Sequence, residues 1–337
     1  MHVGLALPSF DFSVPGERPL RWSTVVRTAQ QAERLGFDSV WLPDHLFMDL
    51  ARYGGPPGEH GAIDPVVGLA ALARHTRRIR LGTLVLCAPL RPATVLAKAL
   101  ATLDVLSGGR LIAGVGAGWY EPEFRAAGLP FAPPGARLAQ LTETIQVLKG
   151  LWSGEPFSFD GAHVRAQNAY CRPRPRQHPH PPVWVGGRGD RLLGVAAAHA
   201  DGWNTAWRVA PDEYRNRIRV LEGACERAGR DPGSMTLSLG LHALVGEDSA
   251  DLARRFQRLR DGSPVPLGAA SLDEWRRTGL AGTVDDVGEQ MQAWATLGVS
   301  KLVISAGPLP FTLSSAEDVE MIAAAASLGG DAEHRTA

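Results

Sequence analysis

His45, beside Asp44 in VWLPDHLF, is the residue of this sequence best suited to acid–base chemistry. A histidine next to a carboxylate can give or take a proton near neutral pH, or donate a hydrogen bond. The same pair can equally be a turn cap beside a packed ring. Two glycine runs offer a second kind of chemistry, the close approach of backbone to a ligand. Gly114, Gly116 and Gly118 alternate in GVGAGW, and Gly186-Gly187-Arg188 follows the apolar run VWV. A strand, two glycines and a helix start aim N–H groups at an anion such as phosphate, although either run can also simply make a tight turn. Trp119 and Trp203 stand at expected strand ends, where they could wall a cavity for a ring. The sequence holds no GxSxG, no HExxH, no spaced carboxylate pair and no lysine placed for a Schiff base, which argues against a hydrolase or aldolase. His178 and His180 form an HxH pair without a third ligand nearby, so no metal site is expected. Few acids and bases among many small, apolar groups suit a planar organic cofactor that brings its own reactivity.

These residues need a frame that gathers strand ends. Short apolar runs alternate with amphipathic stretches throughout, which implies parallel strands with helical crossovers. Strands are expected at Val3–Leu7, Ser39–Leu42, Arg80–Leu86, Arg110–Val115, Val183–Val185, Gly202–Asn204, Thr236–Leu244 and Lys301–Ser305. Helices are expected near Arg21–Leu35, Pro65–His75, Thr94–Leu106, Gly135–Leu151, Arg191–Ala198, Asp212–Ala228, Ala250–Leu259, Val284–Leu297 and Ala316–Ser327. Eight strands are the count of a closed (β/α)8 barrel. The rival, a doubly wound open sheet, needs GxGxxG opening a helix directly after a strand. Here Pro8-Ser9-Phe10 follows the first strand, and the helix after GVGAG is delayed to about Gly135. The barrel is therefore favoured, with its site at the carboxyl ends of the strands. Trp119–Pro134, Trp152–Pro182 and Asp261–Ala281 exceed ordinary loop lengths. The second should hold a hairpin, Phe157–Val164, turning at Asp160-Gly161.

The 337 residues fit one such domain over 1–328, with a disordered tail expected at 329–337. Formal net charge is zero, so neither nucleic acid nor an anionic membrane is an expected partner. Cys87, Cys171 and Cys225 are scattered and odd in number, which fits a reducing compartment. The opening MHVGLALPSF lacks a basic n-region, and no apolar run approaches the ~20 residues of a span. A cytoplasmic protein is expected.

In order along the chain, VGLALP, GFDSVWLPDH, RIRLGTLVL, LAKALATLDVLSGGRLIAGVGAGWYEPEF, PPVWVGG, ADGWN and GVSKLVIS resemble the bacterial luciferase-like flavin and deazaflavin oxidoreductases, specifically the coenzyme F420 branch. The resemblance implies a TIM barrel with cofactor at its carboxyl-end mouth and hydride transfer between the deazaflavin ring and a small organic substrate. It places Asp44 and His45 near the ring, with His45 able to act catalytically. Leu84, Val85 and Cys87 then belong to a third-strand bulge backing the ring, often through a non-prolyl cis peptide. Gly116, Ala117 and Gly118 form the fourth-strand edge. Gly186, Gly187 and Arg188 form the phosphate-binding turn. Ser9, Phe10, Trp119 and Trp203 are candidates to face substrate from their places at the expected strand ends, not from the resemblance. Some F420 relatives carry a catalytic glutamate where this chain has Trp119, and the next acids are Glu121 and Glu123. An FMN-dependent two-component monooxygenase, using reduced flavin and O2, stays open as an alternative, as does a cofactor-binding protein without turnover. A homodimer served by a separate F420 or flavin reductase is the implied assembly.

Overall fold

Eight parallel strands close into a barrel in a computed structural model that describes residues 1–267 and 271–334, with side chains to 326. The tail expected at 329–337 lies outside the residues described to that depth. The strands are β1 (His2–Ala6), β2 (Ser39–Leu42), β3 (Arg80–Thr83), β4 (Leu111–Gly116), β5 (Val183–Gly186), β6 (Gly202–Ala206), β7 (Thr236–Gly246) and β8 (Lys301–Ser305). Each pairs with the next, and β8 returns to β1 with His2 opposite Lys301, so the open-sheet alternative is excluded. The helices are α1 (Trp22–Arg34), α2 (Pro65–His75), α3 (Ala93–Ser107), α4 (Glu121–Ala126), α5 (Pro134–Trp152), α6 (Asp190–His199), α7 (Pro211–Arg227), α8 (Ser249–Asp261), α9 (Leu272–Arg276), α10 (Val284–Thr296) and α11 (Ala316–His334). Asp64 shows why α2 begins where it does: its Oδ1 accepts from the N–H groups of Val66 and Val67, with Pro65 in the first turn. Gly108 stops α3 at φ +75°, a conformation that suits glycine.

The long loops carry structure that the hydrophobic pattern does not reveal. Phe47–Asp49 pairs antiparallel with Glu59–Gly61 over the barrel mouth. Leu280–Thr283 extends the sheet beside the far end of β7. The expected hairpin exists, but Phe157–Asp160 pairs with Arg165–Ala169 and Asp160 faces Arg165, so the turn is 161–164 rather than Asp160-Gly161. The cause is Glu143 of α5, whose carboxylate accepts from the N–H groups of Ala162, His163 and Val164 at 3.0, 2.7 and 2.7 Å and holds the wider loop. Those bonds also hold the Glu143 carboxyl below its usual range against the opposing effect of burial.

Side chains alternate in and out along each strand, as the pleat requires. Outward residues of β4, Leu111, Ala113 and Val115, join the large core between strands and helices. Inward residues such as Trp41, Ile112, Trp184 and Val303 fill the barrel. The indoles of Trp41 and Trp184 stack at 5.1 Å. They fit because neighbouring inward positions are glycine: a Cβ at Gly82 would lie 2.2 Å from the Trp41 ring, and one at Gly4 2.6 Å from its Nε1. Beneath them Lys301 pairs with Asp38 and lies 5.7 Å from the Trp184 ring centre. Burial pulls the Lys301 ammonium below its usual range, and Asp38 opposes this. The amino end of the barrel is thus plugged, which leaves the carboxyl end for a site.

Candidate functional site

At the carboxyl end lies a cavity of about 470 Å³. Its floor is built where β3 breaks off at Thr83. Leu84 and Val85 then line the cavity, joined by a cis peptide bond, and Leu86-Cys87 rejoins β4. Val85 projects into space that two inward-facing glycines leave open. A Cβ at Gly116 would stand 2.7 Å from Val85 Cγ2, and one at Gly186 2.8 Å from Val85 Cγ1. Gly114 has a different neighbour, since its Cβ would meet the Thr83 carbonyl oxygen at 2.0 Å. The alternation of glycines in GVGAG is therefore a run of inward positions against a displaced third strand. Gly116, Ala117 and Gly118 all line the cavity.

His45 and Glu123 meet across 78 residues. Glu123, in the first turn of α4, is 3% exposed, and both its carboxylate oxygens lie 3.1 Å from His45 Nδ1. It also accepts from the N–H of Leu46 at 2.5 Å and from that of Phe47 at 3.4 Å. Two carboxylate oxygens facing one ring nitrogen favour the proton on Nδ1, the tautomer in which Nε2 keeps its lone pair. Of the two acids that follow Trp119, Glu123 is the one in the cavity; Glu121 pairs with Arg125 on the surface. Pro122 and two acids in the first turn are the sequence signals of this helix start, though nothing local ties it to His45.

Asp44 lines the cavity but its oxygens are taken. Arg91 reaches it twice, at 2.5 and 2.9 Å, and the N–H of Cys87 donates to it at 2.8 Å. Arg91 also bonds Asp64 at 2.8 Å, which ties the end of β2 to the start of α2. Asp44 is a fastening for the backbone after Leu84-Val85 rather than a free acid. The Cys87 thiol faces the cavity, yet burial, with Asp44 nearby, pushes it up to about 12, so it carries little thiolate near neutral pH.

The upper wall is aromatic. Phe10 and Phe12 stack at 5.0 Å, and Trp207 meets Phe311 edge-on at 5.6 Å. Trp119, 47% exposed, stands 5.6 Å from the His45 ring, with the Arg52 guanidinium 4.4 Å above its own ring. Three expected site residues lie elsewhere. Trp203 is fully buried on the outward face of β6, stacked on Tyr214 of α7, and donates to the Gly187 carbonyl at 2.8 Å. The period-2 pattern signals this, because Asn204 and Ala206 take the inward positions and line the cavity. Ser9 is buried and donates to the Leu7 carbonyl oxygen at 2.8 Å. Arg188 turns away to the carbonyls of Ala206 and Trp207 and to Glu213. Its neighbours Gly186 and Gly187 do line the cavity, with Leu192 of α6 behind them. The first turn of α6 begins at Gly189 without a side-chain cap, and so leaves backbone donors for an anion. An apolar backing, a glycine edge and an uncapped helix start fit a flat ring bearing a phosphate.

The model of the luciferase-like monooxygenase family matches residues 1–301. The chain belongs to this family. Among its relatives is the F420-dependent hydroxymycolic acid dehydrogenase of Mycobacterium tuberculosis, 31% identical over 305 residues, covering 86% of this chain and 79% of that protein. Another is the FMNH(2)-dependent dimethylsulfone monooxygenase of Pseudomonas putida, 32% identical over 179 residues, covering 53% of this chain and 47% of that one. An F420-dependent secondary alcohol dehydrogenase, solved with an F420-acetone adduct, shares the fold with TM-score 0.77 at 19% identity, over 98% of this chain and 99% of that one. Luciferase-like relatives thus include users of F420 and of FMN, and an oxidoreductase is the common denominator. Among the described residues no helix is long and apolar enough to cross a membrane.

Proposed function

We propose that this chain is an F420-dependent oxidoreductase that transfers hydride between the deazaflavin and a small organic substrate. The observation that carries the reading is the His45–Glu123 pair beside the Val85 backing, one proton-handling group at one apolar floor. Leu84, Val85 and Gly116 to Gly118 would hold the ring. Gly186, Gly187 and the start of α6 would hold its phosphate. When bound, the coenzyme supplies or accepts the hydride. The rest falls to the protein: the floor orients, the aromatic wall excludes water, and His45 Nε2 takes the proton from a substrate oxygen or returns it. Glu123 keeps the imidazole in that tautomer.

The FMN-using relative supports a second reading, a monooxygenase fed with reduced flavin. Either reading calls for a separate reductase and fits a cytoplasmic protein. A homodimer is proposed from Val67 of α2 and Val95 of α3, 70% and 60% exposed on adjacent helices.

Titration with F420 and FMN in both redox states tests the choice. F420 should bind more tightly; micromolar FMN binding without detectable F420 binding overturns the proposal. Gly187→Val should weaken the F420 affinity by about tenfold or more, the worth of a charge-assisted hydrogen bond. Gly187 sits at φ +140°, and a Cβ there would meet Leu192 Cδ1 at 2.9 Å. Unchanged affinity would place the phosphate elsewhere.

A further inference from the structure

A second cleft, of about 180 Å³, opens on the β6–β7 side of the rim. Its lining is polar where the first cavity is apolar, and it carries two arginines, Arg208 and Arg277. Arg208 follows β6 and is exposed, and among the described residues it has no hydrogen bond or ion pair. It holds φ +55°, a strained setting for a residue other than glycine. Arg277 pairs loosely with Glu274 at 3.7 Å, and Glu274 Oε2 accepts from the Ser271 N–H at 3.2 Å. His242 adds no charge near neutral pH, because burial lowers its pKa to about 4 and Arg208 pushes the same way. Two arginines against one carboxylate leave the cleft net positive.

Trp275 supplies an independent sign of a missing partner. It is 6% exposed, and its Nε1–H has no acceptor among the described residues. A buried donor without an acceptor is costly, so a group of this kind calls for an explanation. The nitrogen lies beside Gly279, where a Cβ would stand 3.2 Å from it. Glycine keeps that space free, and Gly279 lines the cleft together with the hydroxyl-bearing Thr278.

We propose that this cleft is an oxyanion site, taking one phosphate, sulfate or carboxylate group on Arg208 and Arg277, with the Trp275 indole N–H as a third donor. Guanidinium groups meet such oxygens through paired N–H donors. The site needs neither F420 nor FMN. It is also separate from the glycine turn proposed for the cofactor phosphate, which lies at the end of β5 against α6. Rings connect the two regions: Trp275 lies 5.5 Å from His242, which lies 5.4 Å from Trp207 on the cavity wall. Tyr53 lines the same cavity; burial raises its pKa, and Arg52 and Arg208 oppose this, so the Arg208 charge reaches both sides. The oxyanion is therefore either free in solution or the charged end of a molecule whose body enters the cavity past Trp207.

The probe is inorganic phosphate, titrated into the full chain, first free of cofactor and then loaded with whichever of F420 or FMN it binds. Isotopically labelled tryptophan gives an NMR signal for each indole N–H, and Trp275→Phe identifies that of Trp275. Phosphate should move this signal saturably in both states. Arg208→Gln should weaken phosphate binding by about tenfold or more, the worth of one charge-assisted hydrogen bond, and Arg208→Lys should restore part of it. Absence of a saturable movement, or unchanged phosphate affinity in Arg208→Gln, overturns the proposal. Octyl phosphate then separates the two sources in the loaded protein. Tighter binding than inorganic phosphate, with a change in the cofactor absorbance, supports the site as the anchor of a substrate. Equal affinity without that change supports it as a site for a free anion.

Discussion

Val85 and the glycines that face it should behave as one packing unit. In Gly186→Ala the new Cβ would lie 2.8 Å from Val85 Cγ1 and 3.1 Å from Cγ2, against 3.5 Å from Val85 Cβ. Carbon atoms prefer about 3.5–4.0 Å, so the two methyl groups carry the whole conflict. Neither Gly116 nor Gly186 has a positive φ, so alanine suits the backbone and only the collision counts. Overpacking of this kind costs about 1–3 kcal/mol. Val85→Ala alone should cost about 1–2 kcal/mol for the lost methyl groups. In the double variant the nearest Val85 atom left is the Cβ at 3.5 Å, an ordinary contact, so the alanine is accommodated. The double variant should therefore be more stable than the sum of the single effects by about 1–2 kcal/mol. Gly116→Ala, at 2.7 Å from Val85 Cγ2, should be rescued in the same way. Gly114→Ala should not, because it meets the Thr83 carbonyl at 2.0 Å and truncating Val85 leaves that atom in place. Urea denaturation of the singles and doubles gives the stabilities, and the cofactor dissociation constant measured alongside reports on the floor itself. Strict additivity for Gly186→Ala with Val85→Ala, or equal rescue of Gly114→Ala, would refute the wedge.

Three further outcomes follow from other parts of the molecule. Glu123→Gln keeps an acceptor for the Leu46 N–H but removes the charge facing His45 Nδ1; it should lower kcat roughly tenfold to a hundredfold with little change in KM, and wild-type kcat would reduce Glu123 to a loop fastener. His242 is buried with Nδ1 3.1 Å from the Gly307 carbonyl oxygen, and burial lowers its pKa from about 6.5 to about 4, so only the unfolded chain binds that proton between these values. The stability supplied by neutral His242, about 3 kcal/mol, should be lost as pH falls from about 6.5 to 4, so a pH series of urea titrations should slope less steeply for His242→Gln, and parallel slopes would contradict this. Light scattering should show a dimer at micromolar concentration that Val95→Glu converts to monomer; a monomeric native chain would remove the proposed interface.

The order of strands and helices was legible because it is written in local periodicity. Apolar runs bounded by Asp64-Pro65 or Gly108-Gly109 specify an element whatever it packs against, and eight of them make a closed barrel plausible. The same locality marked the strand ends and so found His45 and the glycines of the mouth, whereas the role of Leu84-Val85 was legible only through the family resemblance. It did not separate Trp203 from Trp207, since both follow a strand and only the in–out phase of β6 sends one to the core and leaves the other on the cavity wall. Nor could it pair His45 with Glu123 or Asp44 with Arg91, which lie 78 and 47 residues apart. Those contacts form because closure of the barrel carries the ends of different strands to one rim, and a distance across a rim has no period along the chain. The sequence determined which groups reach the mouth, while the closed sheet decided which neutralise each other and which stay free to react.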